Sequence, residues 1–239
     1  MQACDDLWVF SKITPEKLFG ILKSGALRKE NYDTCIRVLY DAVKIIYYRQ
    51  ERLNKPQLKP SEIASALSLA YFYHSFIYRF HVTGQLAGNF GPCPEAKAVA
   101  YFRQSVVGTV TDVFGRKVAI ENRGERSLYK EQVTGKHVIA PQNYEEVRGK
   151  RLPWIRHTIE KTRSVFRVEE NVGGTFRRTY LYTAISSIPL IGKAPATAYF
   201  VVVVPEDGNK NLRFVTAYQV EKHNQFLSRI EPGVPYMGK

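Results

Sequence analysis

Six consecutive residues, Tyr199-Phe200-Val201-Val202-Val203-Val204, are apolar on whichever side a strand presents them. Strand side chains alternate between two faces, so a run with no polar alternate needs cover on both. This predicts a central, covered strand from Ala198 to Val204. Pro205-Glu206-Asp207-Gly208-Asn209 then reads as a turn, and Leu212 to Val220 as the returning strand.

Other strands precede it in meander spacing. Val106 to Val113 turns at Phe114-Gly115 and returns through Lys117 to Ile120, a hairpin signal. Ser164 to Glu169 turns at 171–174 into Phe176 to Ile185. Between these units a polar stretch runs to Lys136-His137-Val138-Ile139. Pro153-Trp154-Ile155 then opens a helix with Ile155 and Ile159 on one side.

Before about residue 105 the periodicity is helical. Thr14-Pro15-Glu16 starts one helix. A second carries Ile36, Leu39, Tyr40, Val43, Ile46 and Tyr47 at three- and four-residue spacing and stops at Asn54-Lys55-Pro56. A third begins at Pro60-Ser61-Glu62, and a short fourth follows Pro92-Cys93-Pro94. The predicted class is α+β: a helical bundle over 1–104 as an accessory domain, then a small antiparallel-sheet domain over 105–239 with a helix packed on one side. Aromatic residues crowd the third helix on all sides, which points to core packing and to a protein-docking surface through Tyr71, Phe76 and Phe80; an inhibitor is one such partner.

The chain has 239 residues and a net charge of +13, with 35 Lys and Arg against 22 Asp and Glu. The surplus is general: 14 basic against 9 acidic residues in 1–104, and 21 against 13 in 105–239. That favours a polyanionic partner, most commonly nucleic acid. No apolar run reaches the roughly 18–20 residues that span a bilayer, and Met1-Gln-Ala-Cys-Asp-Asp lacks the pattern of a signal peptide. No membrane association is expected. Cys4, Cys35 and Cys93 are odd in number and far apart, against a disulfide framework or a zinc site. A reducing, cytoplasmic setting is expected, and no cofactor.

No phosphate-cradling glycine motif occurs, and no acid pair shares a strand face with a histidine. A nuclease built from this chain would therefore work without a bound metal. RNA allows that, because its 2′-hydroxyl is an internal nucleophile. Such a site needs a proton acceptor, a donor to the leaving oxygen, and groups that stabilise the phosphorane. Suitable residues concentrate after 130. Lys136 and His137 set a cation beside an imidazole. Thr216 and Tyr218, two apart, share a predicted face with Phe214, and Arg178, Tyr180 and Tyr182 share another strand's face. Polar groups on a sheet face are costly to bury unpaired, so these are expected to face water or a polar ligand.

These segments carry a family resemblance. Val107–Gly115 (V-G-T-V-T-D-x-x-G), Lys136–Ile139, Leu152–Ile159, the Tyr180–Tyr182 ribbon, the valine strand and the terminal Phe214–Tyr218 (F-V-T-A-Y) occur in an order that resembles the phage-associated branch of the barnase–EndoU–colicin–RelE superfamily of small RNases, over residues 105–231. The resemblance implies a helix on a four-stranded antiparallel sheet, with a metal-independent site on the exposed sheet face. It implies His137 as the acid/base group and Thr216 and Tyr218 as phosphate contacts, with Arg178 or Lys136 stabilising the charge. A substrate-binding rim would comprise Arg148, Lys150 and Arg151 with Tyr180, Tyr182, Lys222 and His223, and His223 is also a candidate second acid/base group. The expected function is a metal-independent endoribonuclease leaving 2′,3′-cyclic phosphate ends, acting on RNA with tRNA among the candidates. The alternative is a non-catalytic nucleic-acid-binding or virion-associated protein on a degenerate nuclease scaffold.

Overall fold

A computed structural model of the chain describes residues 29–76, 81–82, 95–121, 152–172, 174–190 and 193–238. The helix expected after Thr14 lies outside them. Helix α1, Lys29–Leu53, ends where Asn54 takes a left-handed φ of 50° and the amides of Asn54 and Lys55 close onto Glu51 and Gln50. Asparagine tolerates that conformation, so it makes a workable helix stop. Helix α2, Pro60–Phe76, starts with a reciprocal cap: the Lys59 amide donates to the Glu62 carboxylate at 2.7 Å, and the Glu62 amide donates to the Lys59 carbonyl. Helix α3, Glu95–Tyr101, runs into a wider π turn over Phe102–Val106. Helices α4, Leu152–Lys161, and α5, His223–Ile230, complete the helical part.

The strands are β1 (His81–Val82), β2 (Gly108–Thr111), β3 (Lys117–Ile120), β4 (Val165–Val172), β5 (Thr175–Leu190), β6 (Lys193–Glu206), β7 (Leu212–Arg213), β8 (Thr216–Val220) and β9 (Gly233–Pro235). They form one sheet in the order β2-β3-β7-β6-β5-β4-β9, with β1 added to β5 and β8 to β6. Pairings β1–β5 and β3–β7 are parallel and the rest antiparallel. The fold is thus mixed α+β with a mostly antiparallel sheet.

The segment expected as a single returning strand is broken in two. Leu212 pairs with Glu206, but Thr216 pairs with Val203. Four residues on one strand therefore span three on the other, a β-bulge at Phe214-Val215. One extra residue reverses which side chains face which side. Phe214 joins the same core as Leu212 and Ala217, whereas Tyr218 packs into the core across the sheet. The expectation that Phe214, Thr216 and Tyr218 share a face is corrected by this single inserted residue.

Both faces of the sheet are covered. On the first, α4 and the π turn pack Trp154, Ile155, Ile159, Phe102 and Val106 against Tyr182, Phe200, Val202, Val204 and Ala217. On the second, α1, α2 and α5 pack Val38, Ile45, Leu69, Phe72 and Phe226 against Phe166, Leu181, Ile185, Tyr199 and Val201. The helices of 1–104 are therefore not set apart as an accessory bundle; their described residues share cores with the sheet. Nor is the sheet covered by a helix on one side alone.

Helix α1 turns inward only part of the face its apolar spacing suggests: Leu39 and Ile46 pack at the margin of the second core, while the centre of the buried face lies beside them. Val38, Ala42 and Ile45 are buried, and the small Ala42 lets the helix approach α2 and the sheet. Tyr40, Val43 and Tyr47 are about 60% exposed. Among the described residues, no helix is long and apolar enough to cross a membrane.

Candidate functional site

Polar side chains collect in two places, one on each face of the sheet. The first grows from the β2–β3 hairpin. Asp112 opens its turn, and Oδ1 accepts the amides of Phe114 at 2.9 Å and Arg116 at 2.8 Å, while Gly115 takes a φ of 78° that only glycine adopts cheaply. Asp112 Oδ2 accepts from Arg116 Nε at 2.8 Å and from the Tyr182 hydroxyl at 2.7 Å. The carboxylate is buried and saturated, and it fixes the guanidinium.

Arg116 is held on its other sides too. Its Nη2 donates to the Tyr182 hydroxyl at 2.8 Å, and its guanidinium carbon lies 4.2 Å and 4.0 Å from the ring centres of Tyr180 and Tyr236. Burial lowers its pKa, but the Tyr182 hydroxyl and the Asp112 carboxylate outweigh that and raise it. Its Nη1 is buried without a hydrogen-bond partner among the described residues.

Beside it, Glu206 at the end of β6 accepts from the Tyr180 hydroxyl and from Arg178 Nη1, both at 3.2 Å, and Arg178 Nε donates to Glu169 at 2.9 Å. A cavity of about 310 Å³ opens here, lined by Arg116, Lys117, Tyr180 and Glu206, by Lys210 and Asn211 from the β6–β7 turn, and by Leu212 at the start of β7.

The second cluster lies where α1, α2 and α5 meet β6. His223, first residue of α5, has Nε2 2.9 Å from Asp41 Oδ1 and Nδ1 2.7 Å from the Tyr199 hydroxyl. The Tyr73 hydroxyl is 3.1 Å from that of Tyr199. With the His223 proton on Nε2, the donors run in one direction, from Tyr73 to Tyr199 to His223 to Asp41. Asp41, Tyr73 and Tyr199 are buried, and the Tyr199 ring stacks on Phe226 at 4.3 Å. Farther along the same face Glu231 is buried between Arg49 and Arg52, at 3.4 and 3.0 Å.

The residues named from sequence fall as follows. Lys136, His137, Arg148, Lys150 and Arg151 lie outside the described residues. Arg178, Tyr180 and Tyr182 share the first face, but not as an open surface: Tyr180 and Tyr182 are buried with their hydroxyls satisfied by Glu206 and Asp112. Burial raises the pKa of both phenols, and most for Tyr182. Thr216 and Tyr218 are half-buried on the opposite face, through the bulge, and desolvation raises the Tyr218 pKa as well. The sheet thus separates Thr216 and Tyr218 from Arg178, Tyr180 and Tyr182. Lys222 is exposed just before α5. His223 has both ring nitrogens engaged by protein groups rather than turned to a ligand.

Asp41, Asp112, Arg116 and Glu206 were not anticipated as site residues. Asp112-x-x-Gly115-Arg116 does carry a signal, a turn-opening carboxylate with an arginine four residues on. Asp41 has none, because its partner is 182 residues away. Among the described residues no group of three or more His, Cys, Asp or Glu could hold a metal ion. Comparisons with protein-family models, curated proteins and solved structures gave no match to this chain.

Proposed function

We propose that this protein binds nucleic acid, with RNA as its partner, through its basic exterior. The observation that carries the reading is where charge resides. Apolar side chains fill both faces of the sheet, and Asp112, Glu206 and Glu231 are drawn inward as partners of arginines. Lys117, Lys161, Arg163, Arg177, Lys210 and Lys222 are exposed, and the whole chain keeps its surplus of 13 positive charges. A polyphosphate answers such a surface by releasing counterions, so affinity falls steeply with salt. Anisotropy of labelled single-stranded RNA, tRNA and duplex DNA between 50 and 200 mM KCl tests it. A loss of about 100-fold or more, as several phosphate contacts produce, is expected; no binding at 50 mM, or binding indifferent to salt, overturns it.

Metal-independent RNA cleavage is the second reading, and the observation that favours it is the His223–Asp41 pair beside Tyr199, on the sheet face that also carries Thr216 and Tyr218. In this reading His137 moves the proton, with Lys136 beside it, and the 2′-hydroxyl attacks the adjacent phosphate. A helix across an antiparallel sheet is compatible with the barnase–EndoU–colicin–RelE likeness, while the helices on the second face occupy the side such a fold would need open. Incubation of RNA with the protein in EDTA, beside His137→Ala and His223→Ala, decides between binding and cleavage. Products with 2′,3′-cyclic phosphate ends that vanish in His137→Ala support the enzyme. Intact RNA with folded protein removes it.

A further inference from the structure

The cavity beside Arg116 has features that core packing does not require. Arg116 is locked by Asp112, Tyr182 and the rings of Tyr180 and Tyr236, yet Nη1 stays buried and unpartnered among the described residues. A buried donor left without a partner is costly, and native proteins rarely keep one without a reason. Two lysines from separate segments, Lys117 at the start of β3 and Lys210 in the β6–β7 turn, line the same cavity, and neither has a carboxylate partner among the described residues.

The turn that presents Lys210 is closed by its own hydrogen bonds. Asp207 Oδ1 accepts the amides of Asn209 and Asn211 at 2.9 Å, and the Lys210 amide closes onto the Asp207 carbonyl. Lys210 itself takes a φ of 62°, while the neighbouring Gly208 and Asn209, residues better suited to that conformation, do not. A strained lysine at the rim of a cavity fits a ligand contact.

We propose that this cavity binds a phosphomonoester that also carries hydroxyl groups, of the size of a single nucleotide. The two exposed lysines receive the phosphate oxygens in charge-assisted hydrogen bonds, and the fixed Arg116 guanidinium in the cavity wall adds its positive charge. Glu206 does not repel it as a bare carboxylate would, because Arg178 and Tyr180 already donate to it. Its remaining acceptor capacity suits a ribose hydroxyl. A volume of about 310 Å³ lies at the small end of ligand pockets and admits one such group rather than a strand. The proposal goes beyond RNA binding along the exterior, since it concerns one phosphate held in a fixed place.

Isothermal titration of the full chain with AMP, inorganic phosphate and adenosine at matched ionic strength tests it. AMP and phosphate are expected to bind, and adenosine to bind at least roughly tenfold more weakly than AMP. Lys117→Ala/Lys210→Ala, at two exposed positions, is expected to weaken AMP by roughly tenfold with its melting temperature nearly unchanged. Lys210→Gly separates binding from stability: it relieves the backbone and raises the melting temperature while weakening AMP. AMP binding no tighter than adenosine, or a double variant that binds AMP as well as the parent, overturns the proposal. Oligoribonucleotides with and without a 5′-phosphate identify the source. A preference for the phosphorylated end that the double variant abolishes assigns the cavity to chain ends, and no preference with AMP binding retained assigns it to free nucleotides. If long RNA fails to bind while AMP binds, RNA binding falls and the cavity stands; the reverse result sinks the cavity alone.

Discussion

The two faces of the sheet bury polar groups for different ends. On the second face the groups close on one another: Tyr73, Tyr199, His223 and Asp41 form a directed chain, and Glu231 is enclosed by Arg49 and Arg52. The links there tie α1 to α5 and to the residue just past its end, and α2 and α5 to the sheet. On the first face the network around Asp112 fixes Arg116, leaves its buried Nη1 without a partner among the described residues, and adjoins a cavity that Arg116 also lines. The comparison teaches that polar burial alone does not mark a site. What distinguishes one cluster from the other is donor capacity left over.

The largest effect should come from the feature that divides the faces. Exchanging two neighbours, Ala217→Tyr with Tyr218→Ala, puts a ring into the space that receives Ala217 and empties the position opposite; overpacking there and lost burial on the other face should cost more than about 4 kcal/mol. Circular dichroism should show no cooperative melting. A variant that folds with normal stability would refute the placement of these two residues on opposite faces.

Next comes the closed side. Glu231→Ala strands the buried Arg49 guanidinium and should cost about 3–5 kcal/mol in urea unfolding. A loss below about 1 kcal/mol would mean that the second face is not fastened by this pair.

A smaller effect tests the open side. Tyr182→Phe removes the hydroxyl between Asp112 and Arg116 and should cost about 1–3 kcal/mol near pH 7. Because the folded-state pKa of Tyr182 lies above its unfolded value, its contribution is complete below about pH 10 and declines as pH rises further. In Tyr182→Phe the fall of stability above about pH 10 should be shallower by about 1.4 kcal/mol per pH unit. The slopes from Tyr180 and Tyr218 stay. An unchanged slope would place the Tyr182 hydroxyl outside the buried network.

Much of the architecture could be read from local pattern. The doubly apolar run at 199–204 predicted a central strand, the Phe114-Gly115 turn a hairpin, and Pro153-Trp154-Ile155 a helix against the sheet. That run also implied cover on both faces, a demand that conflicts with an exposed active face, and the helices of the first hundred residues meet it. The bulge left no trace, since Phe214 and Val215 are ordinary strand residues and no glycine or proline marks them. Helix α1 carries two apolar stripes, and only tertiary packing chooses Val38, Ala42 and Ile45 over Tyr40, Val43 and Tyr47. Of the two polar clusters, Asp112 and Arg116 are neighbours in sequence and Asp41 and His223 are not, so only the first could be suspected.

The extra residue between Leu212 and Thr216 also matters for evolutionary comparison. In a homologue lacking it both flanks would keep their partners, so an alignment without a gap would set residues of the opposite side against Thr216, Ala217 and Tyr218, and a substitution that looks conservative would be judged against the wrong neighbours. Where an aligner sets its gap in these few positions decides whether like is compared with like for the rest of the strand.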